Sequence, residues 1–286
     1  MQNSEQPLVS VIIASYNHAP YIEASIESVL AQSYPNIELL VTDDGSKDDS
    51  VERIRRLQEL HGFDFRVQEN KGLSRTLNEA IERSRGSLIA PLGSDDIMLE
   101  RIARQVTYLQ DKPEVGICAG NIQEIDEHGN FRGAPKDLPL RRLNFEDVFL
   151  DRKPGAPAPT LMFRREALET VGGYDEQIRL EDLLIELKIT RAGYHLDILP
   201  DVLAYYRVHA TNTYKNYRFM VENVLKTYEQ FSDHASYEAV CNNFRRSMLV
   251  KCAREEKDLA LEIFKELPVR YWNLKVAKAL FRYLGW

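Results

Sequence analysis

A chain of 286 residues, 44% hydrophobic and 28% charged, is long enough for one large domain with an appendage and has the balance of an ordinary globular protein. Its formal net charge of −7 argues against a general nucleic-acid binder, which needs a basic face. The three cysteines Cys118, Cys241 and Cys252 lack metal-ligand spacing and suit a reducing cytoplasm, residues 1–6 are too polar for a secretory signal, and no apolar run is long enough to span a bilayer.

Residues 8–14 form a β-branched apolar run, which predicts a strand covered on both faces, and they end in the polar turn Ser15, Tyr16, Asn17, His18. Ile22, Ile26, Val29 and Leu30 recur at helical spacing over 21–32, and Pro35 stops that helix. Residues 37–42 read as the next strand. It empties into Asp43, Asp44, Gly45 and Ser46, and Asp48 or Asp49 can cap a helix carrying Val51, Ile54 and Leu57. A short strand over 65–68 then leads through Asn70, Lys71 and Gly72 to a helix with Leu73, Leu77, Ala80 and Ile81, with Arg75 and Asn78 near its start.

Residues 87–92 are another buried-strand run, and they stop at Gly93, Ser94 and the neighbouring carboxylates Asp95 and Asp96. Two readings compete for that pair: caps of a helix over 97–109, or oxygen ligands for Mg²⁺ or Mn²⁺ carrying a substrate phosphate. Strand and helix alternate, which implies a parallel sheet with right-handed crossovers, so the loops after successive strands gather at one edge. Ser15 to Asn17, the Asp43–Asp44 pair and the Asp95–Asp96 pair meet there. That convergence favours a ligand site over helix caps.

Beyond this point the rhythm breaks. Strands are expected at 115–120 and 122–126 with a turn at 127–130, and residues 133–159, rich in Pro, Arg and Asp, read as a long binding or mobile loop. A strand at 160–163, a helix at 165–171 ending at Gly172 and Gly173, a helix opening at Leu180, Glu181 and Asp182, and strands at 195–199 and 202–209 follow. From Tyr214 the pattern is helical. Residues 268–286 carry Arg270, Lys275, Lys278 and Arg282 and no acid; on a helix, Trp272, Val276, Ala279, Leu280 and Tyr283 share one face. This face reads as an interfacial membrane anchor, or else as a surface packed on the protein or a partner subunit.

The order of these pieces over about residues 7–212 resembles glycosyltransferase family 2. The resemblance rests on the opening strand through Tyr16 and Asn17, Ser28 to Ser33, Val41 to Ser46, Asn70 to Gly72, Asn78, Gly86, Ser94 to Asp96, Gly173 to Glu176, Glu181–Asp182 and Tyr206 to His209. It implies a GT-A fold over residues 1–213 with a helical extension over 214–286, a nucleotide-diphosphate sugar donor (UDP-sugar favoured) and inversion at the anomeric carbon. Ala14, Ser15 and Tyr16 match the loop that holds the nucleobase, Asp44 the acceptor of its N–H, and Arg75 a cation near the diphosphate. Asp95 matches a ribose- or sugar-contacting position, Asp96 the ligand of Mn²⁺ or Mg²⁺, and His209 a late histidine that completes that site. Asp182 matches the catalytic base, kept ionised by its helix N-terminus, with Glu181 orienting the acceptor. One departure stands out: Gly93 replaces the acidic residue two positions before the Asp pair. The resemblance further implies a peripheral enzyme on the inner face of the cytoplasmic membrane, acting on a lipid-linked or surface-polysaccharide acceptor. Two rivals are a catalytically silent nucleotide-sugar-binding membrane scaffold and a nucleotidyltransferase, whose triphosphate loop after the first strand has no counterpart here.

Overall fold

Val9, Val11 and Ile13 point to one side of a central sheet and Ile12 to the other, and all four are buried, as a parallel strand covered on both faces requires. In the computed structural model, which describes residues 6–153 and 155–283, this strand is β1 (Val9–Ser15). It is followed by α1 (Ile22–Leu30), β2 (Ile37–Asp43), α2 (Ser50–His61), β3 (Asp64–Val67), α3 (Leu73–Arg83) and β4 (Leu88–Gly93). Then come β5 (Ile97–Met98), α4 (Ile102–Leu109), β6 (Val115–Asp126), β7 (Arg141–Leu143), α5 (Phe145–Phe149), β8 (Met162–Arg164), α6 (Arg165–Thr170), α7 (Glu181–Arg191) and β9 (His195–Val208).

The strand order is β3-β2-β1-β4-β8-β6-β9-β5, with β7 on β9. β1 pairs in parallel with β2 and with β4, and β2 with β3, so the loops after these strands share one edge. β8 runs antiparallel between β4 and β6, while β6 and β9 are parallel.

The chain departs from the sequence pattern in several places. Residues 97–98 are a strand on Tyr205 and Ala204, and the helix starts only at Ile102. Tertiary partners hold this stretch extended: Ser28 Oγ accepts from the Met98 N–H, and Gln32 Nε2 donates to the Leu99 carbonyl. Neither Asp95 nor Asp96 therefore caps that helix. The two strands expected at 115–126 are one strand with register shifts, and those at 195–209 are one strand ending at Val208. The expected long loop at 133–159 contains β7 and α5, the latter closed by an Asn144–Asp147 capping box, and a 3-10 turn begins at Ala158.

The chain divides into two compact units, one up to His209 and one from Ala210 onward. The second is helical: α8 (Tyr217–Glu229), α9 (Tyr237–Glu255), α10 (Lys257–Glu266) and α11 (Leu274–Tyr283). Val276 and Ala279 of α11 are buried in a cluster with Leu249, Cys252 and Ala253 of α9, and Tyr283 packs on it. Trp272 leans on the Phe264 ring at 4.9 Å and donates to the Leu267 carbonyl. Val276 and Ala279 of the face expected to enter a membrane are thus packed within the protein, while Trp272 stays 44% exposed. Also exposed are Val269 (72%), Leu274 (88%) and Phe281 (63%), alongside the exposed Lys275 and Lys278; Trp286 lies outside the described residues. Among the described residues no helix is long and apolar enough to cross a membrane.

Candidate active site

The loop after β1 is stapled to the loop after β2. Asn17, at a left-handed φ of 54°, donates its N–H to Ser46 Oγ, and its side-chain oxygen accepts from the Lys47 N–H. The His18 N–H donates to Ser50 Oγ, and Asp48 Oδ2 accepts from the Ala19 N–H. These bonds fix Ala14, Ser15 and Tyr16 at the sheet edge. Tyr16 stays 47% exposed, its ring open to a ligand, while Ser15 Oγ is buried without a hydrogen-bond partner.

Asp44 lies beneath this edge and is buried. Its Oδ1 accepts from the Lys71 N–H at 2.8 Å and from Gln68 Nε2 at 2.9 Å, and its Oδ2 accepts from the Gly72 N–H at 2.9 Å. Asp44 therefore anchors the turn into α3. Oδ2, with a single donor, keeps a lone pair for a base N–H. Arg75, expected near a diphosphate, pairs with Glu79 on the exposed side of α3, and Glu79 also holds Lys71.

At the end of β4 the two carboxylates have different surroundings. Asp95 Oδ2 lies 2.8 Å from His209 Nε2, and His18 Nδ1 lies 2.7 Å from Ser94 Oγ. One ligand atom each from His18, Asp95 and His209 falls within 4.8 Å of the others, a spacing that fits a divalent ion. Burial opposes ionisation of Asp95, but the His209 hydrogen bond and the nearby His18 outweigh it and hold its carboxyl below the ordinary value. Asp96, the expected ligand, stands outside this group. Its Oδ1 accepts the Arg207 backbone N–H at 2.9 Å, and burial plus the neighbouring Asp95 charge push its carboxyl well upward. Of the two carboxylates it is Asp95, matched to the ribose or sugar by the resemblance, that stands within reach of both imidazoles.

Three groups around this cluster went unassigned in the sequence. His18 stacks edge-on to His209 at 5.8 Å. Tyr21 stacks on His209 at 5.1 Å, and the Arg207 guanidinium lies 4.9 Å over the Tyr21 ring while its Nε donates to the Asp95 carbonyl. The available signal was Gly93 itself, since a missing acidic ligand asks which other donor reaches the same place.

Asp182 sits in the first turn of α7, and the N-cap residue is Leu180, so Asp182 is no cap; its Oδ1 accepts from the Leu183 N–H at 2.7 Å. The approach to α7 is pinned by Asn78, which donates to the Tyr174 carbonyl and accepts from the Tyr174 N–H. Gly173 makes this possible, because a Cβ there would come 2.8 Å from Asn78 Oδ1. Burial raises the Asp182 carboxyl, against the backbone N–H groups of the helix N-terminus, which lower it. Glu181 is pushed up to about 8 by burial and by the Asp182 charge, and the buried Glu186, one turn on, is raised well above its ordinary value by burial and then Asp182. At about 8, Glu181 carries its proton at neutral pH and can donate a hydrogen bond.

The pattern described as Glycosyl transferase family 2 matches residues 10–172. The amylovoran biosynthesis glycosyltransferase AmsE of Erwinia amylovora is 30% identical over 201 residues, 68% of this chain and 74% of that one. The O-antigen biosynthesis glycosyltransferase WbnJ of Escherichia coli is 30% identical over 216 residues, 73% and 83% of the two chains. Among solved structures, S. aureus TarS in complex with UDP-GlcNAc is similar with a TM-score of 0.66 at 16% identity, covering 96% of this chain and 89% of that one. The mannosyltransferase PcManGT from Pyrobaculum calidifontis in complex with GDP-Man and Mn²⁺ is similar with a TM-score of 0.67 at 20% identity, covering 99% and 87%. The chain belongs to glycosyltransferase family 2 and is a glycosyltransferase with the GT-A fold.

Proposed function

We propose that this glycosyltransferase moves one sugar from a nucleotide-diphosphate sugar, UDP-linked, to a hydroxyl of a lipid-linked oligosaccharide or surface polysaccharide, with inversion at the anomeric carbon. The observation that carries the reading is the set of complementary groups after the parallel strands: an open aromatic at Tyr16, an acceptor at Asp44, and the Asp95–His209 pair after β4 and β9. Tyr16 stacks on the base and Asp44 Oδ2 accepts its N–H. Asp95 and His209 are the residues that would hold Mn²⁺ or Mg²⁺, which supplies positive charge for the departing nucleotide diphosphate. Arg75 contributes there only when its pair with Glu79 opens.

Asp182 takes the proton of the acceptor hydroxyl as that oxygen bonds to the anomeric carbon. The bond from that carbon to the phosphate oxygen breaks with its electron pair, and the nucleotide diphosphate leaves from the opposite face. Glu181, protonated at neutral pH, donates a hydrogen bond that orients the acceptor. Supporting the acceptor class are the polysaccharide and O-antigen relatives by name, and supporting the donor class are the UDP-GlcNAc and GDP-Man complexes of the two neighbours. Val269, Leu274 and Phe281 with Lys275 and Lys278 form the surface that rests on an anionic membrane.

Donor binding and hydrolysis across UDP-, GDP- and dTDP-sugars, with Mn²⁺, with Mg²⁺ and with chelator, test the proposal. One metal-dependent UDP-sugar is the expected result. Indifference to every nucleotide sugar would overturn it in favour of a silent scaffold.

A further inference from the structure

Position 93 has no room for a ligand side chain. A Cβ built there would meet Asp96 Oδ2 at 2.7 Å and Asp95 Oδ1 at 2.9 Å, so the glycine is what lets the two carboxylates fold back over the end of β4. An acidic residue at this point would turn the ends of both carboxylates aside. Across the sheet edge, His18 brings an imidazole to the same place from a different segment of the chain.

We propose that His18 is a metal ligand of this enzyme, completing with Asp95 and His209 a two-imidazole, one-carboxylate site in which it takes over from the absent acidic residue at 93. The inference rests on the metal-assisted reading above and goes beyond it in the identity of the ligand and in the selectivity that follows. The geometry is preorganised. The His18 backbone is tied to Ser50, the next residue to Asp48, and its Nδ1 to Ser94 Oγ at 2.7 Å, which leaves Nε2 as the coordinating nitrogen. Ser94 thus orients the ring as the outer partners of metal-bound histidines do. Tyr21 supports both rings, edge to His18 at 6.1 Å and face to His209 at 5.1 Å. Imidazole donors favour Mn²⁺, Fe²⁺ or Co²⁺ over Mg²⁺, which prefers an all-oxygen octahedron. Replacing a carboxylate by His18 therefore turns the site toward the transition ions.

The test is a titration of the full chain with Mn²⁺ alone, followed by electron paramagnetic resonance, on the wild type and on His18→Gln, His18→Ala and Asp95→Asn, with circular dichroism confirming that each is folded. Wild type should bind Mn²⁺ with nitrogen modulations from two imidazoles and prefer it to Mg²⁺. Both His18 variants should weaken Mn²⁺ by roughly tenfold or more and retain one imidazole, because removing even an outer partner of a metal site costs that much. If the His18 variants bind as tightly as wild type while Asp95→Asn does not, His18 is no ligand and the metal reading survives. If wild type ignores Mn²⁺, or Asp95→Asn binds it unchanged, the metal site itself is overturned.

Discussion

Asp96 Oδ1 accepts the backbone N–H of Arg207 at 2.9 Å, joining the loop after β4 to the last turn of β9. The carboxylate is buried, and the contact it makes to β9 is as an acceptor. Asp96→Asn keeps an acceptor oxygen and should change stability little, whereas Asp96→Ala orphans a buried N–H and should cost about 1–3 kcal/mol. Urea midpoints of the two variants check this. Equal losses in both would return Asp96 to a charged role.

Gly93→Ala tests the crowding at the same turn. The backbone there tolerates any residue, since Gly93 is not at positive φ, so its effect is confined to the 2.7 and 2.9 Å approaches to the two carboxylates. Both atoms are the ends of side chains that can rotate, so the stability cost should stay at or below about 1 kcal/mol, the low end for overpacking. Donor turnover should fall more than tenfold while the melting transition stays cooperative. A variant with wild-type turnover would show that the carboxylates have room to move.

Asp182→Asn should lower kcat by roughly 10²–10⁴-fold, the usual weight of a general base, with donor affinity unchanged. Because burial raises the Asp182 carboxyl, the rate should fall as pH drops through a value higher than that of a free Asp. Glu181, pushed up to about 8, is already protonated at neutral pH. Glu181→Gln should accordingly stay within a few-fold of wild type at neutral pH and differ from it chiefly above about pH 8, where Glu181 ionises. A pH–rate profile of the three proteins with one donor decides the point.

Glu186 offers a stability readout separate from turnover. Its carboxyl is raised in the folded state by burial and by Asp182. A raised acid binds more protons folded than unfolded, so it penalises the fold once pH exceeds the unfolded value, and the penalty grows until pH passes the folded one. Glu186→Gln should therefore raise the melting temperature at about pH 8 and leave it nearly unchanged at about pH 4. Melting curves across that range check the sign. A variant that melts lower at pH 8 would mean that Glu186 is paired as an anion.

The parallel half of the sheet was legible because β1, β2 and β4 are buried on both faces and bounded by glycines and acids, a pattern that survives in one dimension. Residues 97–98 were not, because Ile97 and Met98 read as the start of a helix, and the bonds to Ser28 and Gln32 that keep them extended come from about 70 residues away. The contacts of Asp95 and Asp96 were hidden for a similar reason. Nothing local distinguishes two adjacent carboxylates; the arrival of Arg207 and His209 from β9 does. The α11 face was read as amphipathic with a membrane or the protein as its neighbour, and Val276 and Ala279 pack on α9, since a period says which side is apolar and not what covers it.

Asp95 and His209 stand 114 positions apart in the chain, and His18 and Ser94 76 apart. The cluster therefore needs both ends of the α/β unit: a nascent or clipped chain that ends before β9 holds the loop after β1 and the acidic turn and still lacks His209. Whatever binds there recognises only the completed sheet, and so shifts the folding equilibrium toward it by its own affinity. In this protein the capacity to transfer a sugar doubles as a certificate that the whole α/β unit has been assembled.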